Sequence, residues 1–211
     1  EDGNAITGTI GATDSDGLTA GTYFTVSTAA SNGTATIDAA TGAWSYIPTE
    51  NFNGNDQFTV TVTDDLGGTT TQVISLTVNA IDDPSIITGN TSASGIEDAN
   101  TITGTISATD VEGLTDQTYF TVTGQASKGT ASIDAESGAW SYTPNTNANG
   151  ADQFTVTVTD DLGGTTTQVV DLTVNAVDDA ATISGDISGT GDEDTTITGT
   201  ISAEDVEGLT D

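Results

Sequence analysis

The sequence predicts an all-β protein built from Greek-key β-sandwiches that follow one another along the chain. Three observations lead to this prediction. Apolar residues alternate with threonine or serine in several short segments, which is the period of a half-buried strand. Glycine-containing turns separate these segments, and no segment has the period of a helix. The sequence also contains an internal repeat, because Trp44 and Asp64-Asp65 have counterparts at Trp140 and Asp160-Asp161, each 96 positions later.

The middle copy of the repeat is present from end to end and predicts about seven strands. Proline and glycine bound them, as expected for short strands joined by turns. In chain order the predicted strands are 86–87, 101–108, 118–123, 129–134, 139–143, 153–160 and 170–174. Seven short strands at this spacing are typical of an Ig-like Greek-key sandwich.

Alternation also predicts which side chains face the core. In 153–160 the apolar residues Phe154, Val156 and Val158 share one face, and threonines occupy the other. Trp140 alternates with Tyr142 in the same way, so we interpret the tryptophan as a core residue rather than a platform for stacking sugars. The loop before this strand ends in Gly138, at a position that requires a positive φ.

The repeat divides the chain into three predicted segments. Residues 1–83 form a first repeat that lacks the counterpart of the first strand, and residues 84–179 form a complete second repeat. Residues 180–211 begin a third repeat. Because this tail contains only the first strands of a repeat, we expect it to be poorly packed or to borrow a neighbour.

The charge is strongly one-sided, with 32 acidic residues against a single basic one, Lys128, and a net charge of −31. Nucleic acids and anionic membrane surfaces are excluded as partners, because nothing neutralises their phosphates. The sequence contains no cysteine and no histidine, which removes thiolate and imidazole metal ligands. No apolar run approaches the length of a membrane span, so no membrane insertion is predicted.

The acidic residues are concentrated in loops of the predicted sandwich. Two groups, at Asp110 and Glu112 and at Asp160-Asp161, follow strands that end at the same pole, and Asp178-Asp179 ends the repeat at the other pole. Crowded carboxylates favour Ca²⁺, which takes six to eight oxygen ligands, over Mg²⁺ or Zn²⁺. The alternative is a set of solvated acidic loops. Asp134 and Glu136 are interpreted as ordinary turn residues.

Several motifs together resemble one known family. They are Glu97-Asp98, 109–113 (TDVEG), 132–138 (SIDAESG), 157–160 (TVTD) and 174–179 (VNAVDD). In this order they are similar to the cadherin-like, VCBS-type tandem repeats of large secreted bacterial surface adhesins. The resemblance covers the whole chain and implies tandem cadherin-like sandwiches arranged end to end.

The resemblance further implies Ca²⁺ bound between consecutive repeats. Because Ala80 and Ala176 take the linker's first acidic position, we expect fewer ions than in cadherins, one or two at each junction. Carried over to this sequence, the first junction uses Glu1, Asp82, Asp83, Asp110, Glu112 and Asp160. The second junction uses Glu97, Asp178, Asp179, Asp205 and Glu207. The free N-terminal pole retains Asp14, Asp16 and Asp64.

The expected function is a Ca²⁺-rigidified extender in a large adhesin at the bacterial cell surface, acting as a structural rod in adhesion or biofilm. Its expected partners are neighbouring repeats of the same chain. The alternatives are a module that binds a cell-surface glycan or another copy of the adhesin, and a subunit of an extracellular filament or surface layer. No enzyme is predicted, because no residue pattern marks a catalytic cleft. A Lys–Asn crosslink through Lys128 would not be a property of the repeat, because the first copy has Asn32 there.

Overall fold

The computed structural model describes residues 1, 3–15, 17–19, 21–98, 101–206 and 208. The chain divides into two compact units, a first unit of Glu1–Asp83 and a second unit of Pro84–Asp211. All regular secondary structure in the described residues is β-strand, which confirms the predicted all-β class. None of the described residues belongs to a helix with the length and apolar character of a membrane span.

The first unit is a two-sheet sandwich. Its described residues form β1 (Ile6–Thr9), β2 (Phe24–Thr28), β3 (Gly33–Ile37), β4 (Ala43–Pro48), β5 (Gly54–Thr63) and β6 (Thr69–Val78). One sheet has the order β1-β4-β3 and the other has the order β2-β5-β6. All of these pairs are antiparallel.

The second unit has the same sandwich with one more strand in each sheet. Up to residue 175 its strands are β7 (Ile86–Gly89), β8 (Ser92–Ile96), β9 (Ile102–Thr109), β10 (Phe120–Gly124), β11 (Gly129–Ile133), β12 (Ala139–Pro144), β13 (Gly150–Thr159) and β14 (Thr165–Asn175). The sheets have the orders β11-β12-β9-β7 and β10-β13-β14-β8.

The predicted first strand, 86–87, lies in β7, and a further strand that was not predicted, β8, follows it, so the described repeat has eight strands rather than about seven. β7 pairs with β9 in one sheet, and after Gly89, at φ 107°, the chain crosses over so that β8 pairs with β14 in the other sheet. The β8–β14 pairing is parallel. The prediction missed β8 because its small residues show no clear alternation, and hydrogen bonding to β14 defines it instead.

The core of the second unit lies between its two sheets, on the faces that alternation predicts. The largest buried side chains are Trp140 and Tyr142 of β12 and Phe154 of β13. They pack with the other buried residues Ile102, Ile106, Phe120, Ala131, Val156, Val158, Val170, Leu172 and Val174. Burying this apolar surface is the main favourable contribution to folding.

The two tryptophans differ in burial although they occupy the same position in the repeat. Trp140 is 2% exposed, and its indole N–H donates to the main-chain oxygen of Asn90, 3.1 Å away, just after β7. Trp44 is only half-buried. In the described part of the first unit no strand lies beside β1 as β7 lies beside β9, which leaves Trp44 less covered.

The described residues after 180 have little packing. They form a two-stranded antiparallel sheet of β15 (Thr182–Gly185) and β16 (Ile201–Glu204). Ile183 and Ile201 are 69% and 65% exposed. An isolated two-stranded hairpin has marginal stability in water.

Gly138 has the positive φ that the sequence predicts, 67°. A Cβ at this position would collide with the main-chain oxygen of Ile106. We expect Gly138→Ala to destabilise the second unit by about 1–3 kcal/mol, because it combines backbone strain with a main-chain clash. Urea unfolding measures this loss, and Ala139→Gly is the control for a change in the same hairpin without a clash. Equal stability of Gly138→Ala and the parent chain would contradict the prediction.

Candidate metal centre

The two acidic loops that were expected to meet at one pole do lie together in the second unit. The main-chain N–H of Asp161 donates to the oxygen of Gly113, 3.2 Å away. The carboxylate of Asp161 accepts the N–H and the hydroxyl of Thr115, at 2.8 and 2.7 Å. The main-chain bond, followed by the hydroxyl bond, lowers the pKa of Asp161. Asp161 therefore joins the loop after β13 to the loop after β9.

The other acids of these loops shape the turns through local hydrogen bonds. Asp110 accepts the N–H groups of Glu112 and Gly113 on one oxygen and the hydroxyl of Ser85 on the other. Asp160 is 5% exposed and accepts two main-chain N–H groups, from Leu162 and Gly164, on one oxygen, each at 2.9 Å. A carboxylate oxygen that holds a turn in this way is fixed in direction, as a metal ligand must be.

The first unit repeats this arrangement at its own loops. One oxygen of Asp64 accepts the N–H groups of Leu66 and Gly68, both at 2.8 Å. Asp65 accepts the N–H and hydroxyl of Thr19, as Asp161 does with Thr115. Asp14 lies on the neighbouring loop and is exposed, and Asp16 lies outside the described residues.

The early glutamate of each repeat lies against the end of the last strand of the same repeat. In the second unit the N–H of Glu97 donates to the oxygen of Asn175, and its Oε1 accepts the N–H of Val177, both at 3.0 Å. In the first unit the main-chain nitrogen of Glu1 donates to the oxygen of Asn79, and its Oε1 accepts the N–H of Ile81 at 3.0 Å. Each glutamate therefore brings a carboxylate to the acidic end of its repeat.

Within the first unit, Glu1 and Asp83 are a candidate pair for shared metal ligation. A carboxylate oxygen of each lies within 4.8 Å of the other. Glu1 is 9% exposed, and its Oε2 has no hydrogen-bond partner among the described residues. A buried carboxylate oxygen without a donor is costly, and a cation would satisfy it. The residues present at this end therefore fit Ca²⁺.

The other predicted ligands are exposed or half-buried, or lie outside the described residues. Asp82 and Asp178 are exposed, while Glu112, Asp83, Asp179 and Asp205 are half-buried. Glu97, Asp178, Asp179 and Asp205 do not form a group of three carboxylates within 4.8 Å in the described part of the second unit. Glu207 lies outside the described residues.

A buried polar pair that the sequence interpretation missed is present in both units. The hydroxyl of Tyr142 donates to Asp152 at 2.8 Å, and Asp152 also accepts the main-chain N–H groups of Ser127 and Lys128. Burial would raise the pKa of Asp152, but these hydrogen bonds lower it to about 2. The alternation of the strand could have revealed this pair, because Asp152 lies two residues before Phe154 and therefore on the same inward face of β13.

The first unit has the same pair in Tyr46 and Asp56, with a distance of 2.8 Å between the hydroxyl and the carboxylate. Burial, followed by the hydrogen bond to Asp56 and its charge, raises the pKa of Tyr46 to about 12. The repetition of this pair indicates a structural role, in which it ties the loop before β3 or β11 to the neighbouring sheet.

Two other predicted roles concern single side chains. Asp134 accepts the N–H and hydroxyl of Ser137 at 2.8 and 2.7 Å, the bonding of an ordinary turn residue. Trp140 is buried, so it offers no exposed face on which a sugar could stack.

Comparison with protein families matches each repeat to a family model. Residues 82–176 match the model described as a bacterial cadherin-like domain, and residues 1–77 match the one described as a bacterial Ig domain. These matches confirm the predicted cadherin-like resemblance. They are structural domain types, typically found at the bacterial cell surface, and neither indicates an enzyme. No curated protein matches the chain in sequence.

Solved cadherin structures share the fold at low sequence identity. Extracellular cadherin domains 1–5 of Protocadherin Gamma B2 are 13% identical, with a TM-score of 0.59 over 88% of this chain and 39% of that one. The Protocadherin GammaB4 extracellular domain is 14% identical, with a TM-score of 0.57 over 90% and 32%. Human CDH23 EC21-23 is 16% identical, with a TM-score of 0.50 over 82% and 66%. The chain thus spans between about a third and two thirds of these structures, and the likeness confirms tandem Ig-like sandwiches.

Proposed function

We propose that this chain, whose second repeat matches the bacterial cadherin-like family, is part of a Ca²⁺-rigidified extender in a large bacterial cell-surface adhesin. The extender acts as a structural rod in adhesion or biofilm formation. Both matched families are typical of extracellular surface modules, and repeated sandwiches provide length rather than a single active site.

The main observation that supports the proposal is the buried Oε2 of Glu1, which has no hydrogen-bond partner among the described residues. A carboxylate oxygen of Asp83 lies within 4.8 Å of one of Glu1. Hard oxygen ligands suit Ca²⁺, and the chain has neither histidine nor cysteine to favour a transition metal. Binding cations would also offset the self-repulsion of a chain with a net charge of −31.

The proposed ligand sets follow the order of the repeats in the sequence and the family resemblance. Ligands for the ion that links the first and second repeats are Glu1, Asp82, Asp83, Asp110, Glu112 and Asp160. Those for the next link are Glu97, Asp178, Asp179, Asp205 and Glu207, and the N-terminal pole provides Asp14, Asp16 and Asp64. An ion that takes ligands from two repeats restricts the hinge between them.

Calcium titration of the chain after treatment with a chelator tests the proposal. We expect saturable Ca²⁺ binding, a higher thermal midpoint and, in solution scattering, a changed maximum dimension. Because metal binding to the native state stabilises it by mass action, the midpoint should rise with the Ca²⁺ concentration. If neither the midpoint nor the maximum dimension differs between excess Ca²⁺ and chelator, the proposal fails.

Glu1→Gln is the matched variant for this titration. It removes one negative ligand while keeping nearly the same shape, and we expect about tenfold weaker binding of the tightest ion or a greater loss. Glu136→Gln makes the same charge change at an exposed turn residue of the other unit and should leave the affinity unchanged. Equal losses in the two variants would indicate a general effect of charge rather than ligation by Glu1.

A further inference from the structure

The only basic side chain of this acidic protein lies at the start of a chain of contacts that ends at a buried carboxylate. The Nζ of Lys128 donates to the main-chain oxygen of Asn149, 2.8 Å away. The side-chain Nδ2 of Asn149 donates to both oxygens of Glu97, at 3.2 and 3.3 Å. Glu97 is 0% exposed. A neutral amide thus donates to both oxygens of a fully buried carboxylate.

The contacts continue from Glu97 to the residues that follow β14. Glu97 bonds Asn175 and Val177 through its N–H and its Oε1. The side chain of Asn175 donates to the oxygen of Gly95 at 3.0 Å. The segment 175–177 is therefore held against its own repeat by these hydrogen bonds.

The first repeat differs at this point. Glu1 bonds Ile81 through Oε1, but its buried Oε2 has no hydrogen-bond partner among the residues that the structure describes. The counterparts of Lys128 and Asn149 in the first repeat are Asn32 and Asn53. Asn53 therefore does not make the bond to Oε2 that Asn149 makes in the second repeat. Asn32 is shorter than lysine and carries no charge with which to hold the neighbouring loop.

We propose that Lys128, Asn149 and Glu97 form a metal-independent latch that keeps the segment 175–177 docked on the second repeat. Asn149 is the positioning residue, because its amide holds both oxygens of Glu97 in place for Val177. Lys128 supports Asn149 from the other side. In the first repeat Oε2 of Glu1 lacks such an amide contact, so the Glu1 side chain depends on a cation to be held equally firmly. This dependence of Glu1 on a cation is the one point that rests on the proposed function.

Site-resolved amide hydrogen exchange in chelator tests the latch. The Val177 amide donates to Glu97, so its exchange rate reports whether the latch is closed. In the parent chain we expect strong protection. Asn149→Asp keeps the shape but replaces the donor with a second carboxylate, and we expect exchange of Val177 to become about 10- to 100-fold faster.

Asn145→Asp is the matched control. It adds the same charge in the same loop, where the described hydrogen bonds of Asn145, to Lys128 and from Ala148, involve only main-chain atoms. We expect it to leave the exchange of Val177 unchanged. Equal exchange in the Asn149→Asp and Asn145→Asp variants, or an unprotected Val177 amide in the parent chain, would overturn the latch.

Lys128→Asn provides a second variant in case Asn149→Asp unfolds the repeat. It installs the residue that the first repeat has at this position, and we expect it to accelerate exchange of Val177 by a smaller factor. No acceleration would overturn the supporting role of Lys128. The calcium titration separates the two proposals: a chain that binds no Ca²⁺ but protects Val177 in chelator refutes the proposed function and supports the latch.

Discussion

Trp140→Ala is expected to lower the free energy of unfolding of the second repeat by about 3–5 kcal/mol. Trp140 is 2% exposed and contacts Phe154 edge to face, with ring centroids 5.5 Å apart. Gly104 provides the space for the indole, since a Cβ at that position would collide with it. Alanine would leave a large cavity between the sheets and would also remove the indole hydrogen bond to Asn90.

Trp44→Ala is the control that the chain itself provides. Trp44 has the same contact with Phe58, at 5.6 Å, but it is half-buried because no strand of the described first unit covers it as β7 covers Trp140. We therefore expect a smaller loss, about half as large or less. Urea unfolding followed by far-UV circular dichroism measures both losses. Equal losses would mean that β7 contributes nothing to the burial of the tryptophan.

Asp152→Asn is expected to destabilise the second repeat by about 2–4 kcal/mol at pH 7. The carboxylate accepts the Tyr142 hydroxyl and the N–H groups of Ser127 and Lys128 while only 9% exposed. An amide in its place keeps the volume but loses the charge and one acceptor, so buried donors are left unsatisfied. Asp171→Asn, an exposed change opposite Gln153 on the adjacent strand, is the control and should change stability by less than about 0.5 kcal/mol.

The difference in the free energy of unfolding between Asp152→Asn and the parent chain should also depend on pH. The folded pKa of Asp152 is about 2, below its ordinary value of 3.8. A lowered folded pKa contributes stability above the unfolded pKa and loses it as the pH falls, here between about pH 4 and pH 2. This contribution is about 2 kcal/mol. Titration of the other acids is common to both chains and cancels in the difference, so a difference that stays constant down to pH 2 would refute this assignment.

Much of the fold was predictable because the buried faces of β9, β12 and β13 carry alternating apolar residues. The strand β8 was not predictable, because it is made of small residues and is defined by its pairing with β14. The acidic loops were predictable as a group from the antiparallel order of the strands. Their hydrogen bonding was not, because it depends on turn geometry that composition does not reveal.

Asp152 and Asn149 differ in whether the sequence alone could reveal their roles. Asp152 could have been found, since it continues the inward phase of Phe154 and a buried carboxylate in that phase requires donors. Asn149 could not, because its contact with Glu97 joins residues more than fifty positions apart in the chain through a loop without periodic pattern. Residue type indicated which groups would attract a cation, and only the three-dimensional arrangement showed which carboxylate already has an amide partner.

The parallel pairing of β8 with β14 affects how the second repeat responds to a tensile load. β8 lies near the beginning of the repeat and β14 near its end, and five residues of each are paired in register. A force that pulls the two termini apart slides these parallel strands past each other, so their hydrogen bonds are loaded in shear and must fail together. An antiparallel pair pulled from one end would instead unzip one bond at a time. The crossover after Gly89 therefore gives the repeat a mechanical clamp along the pulling direction.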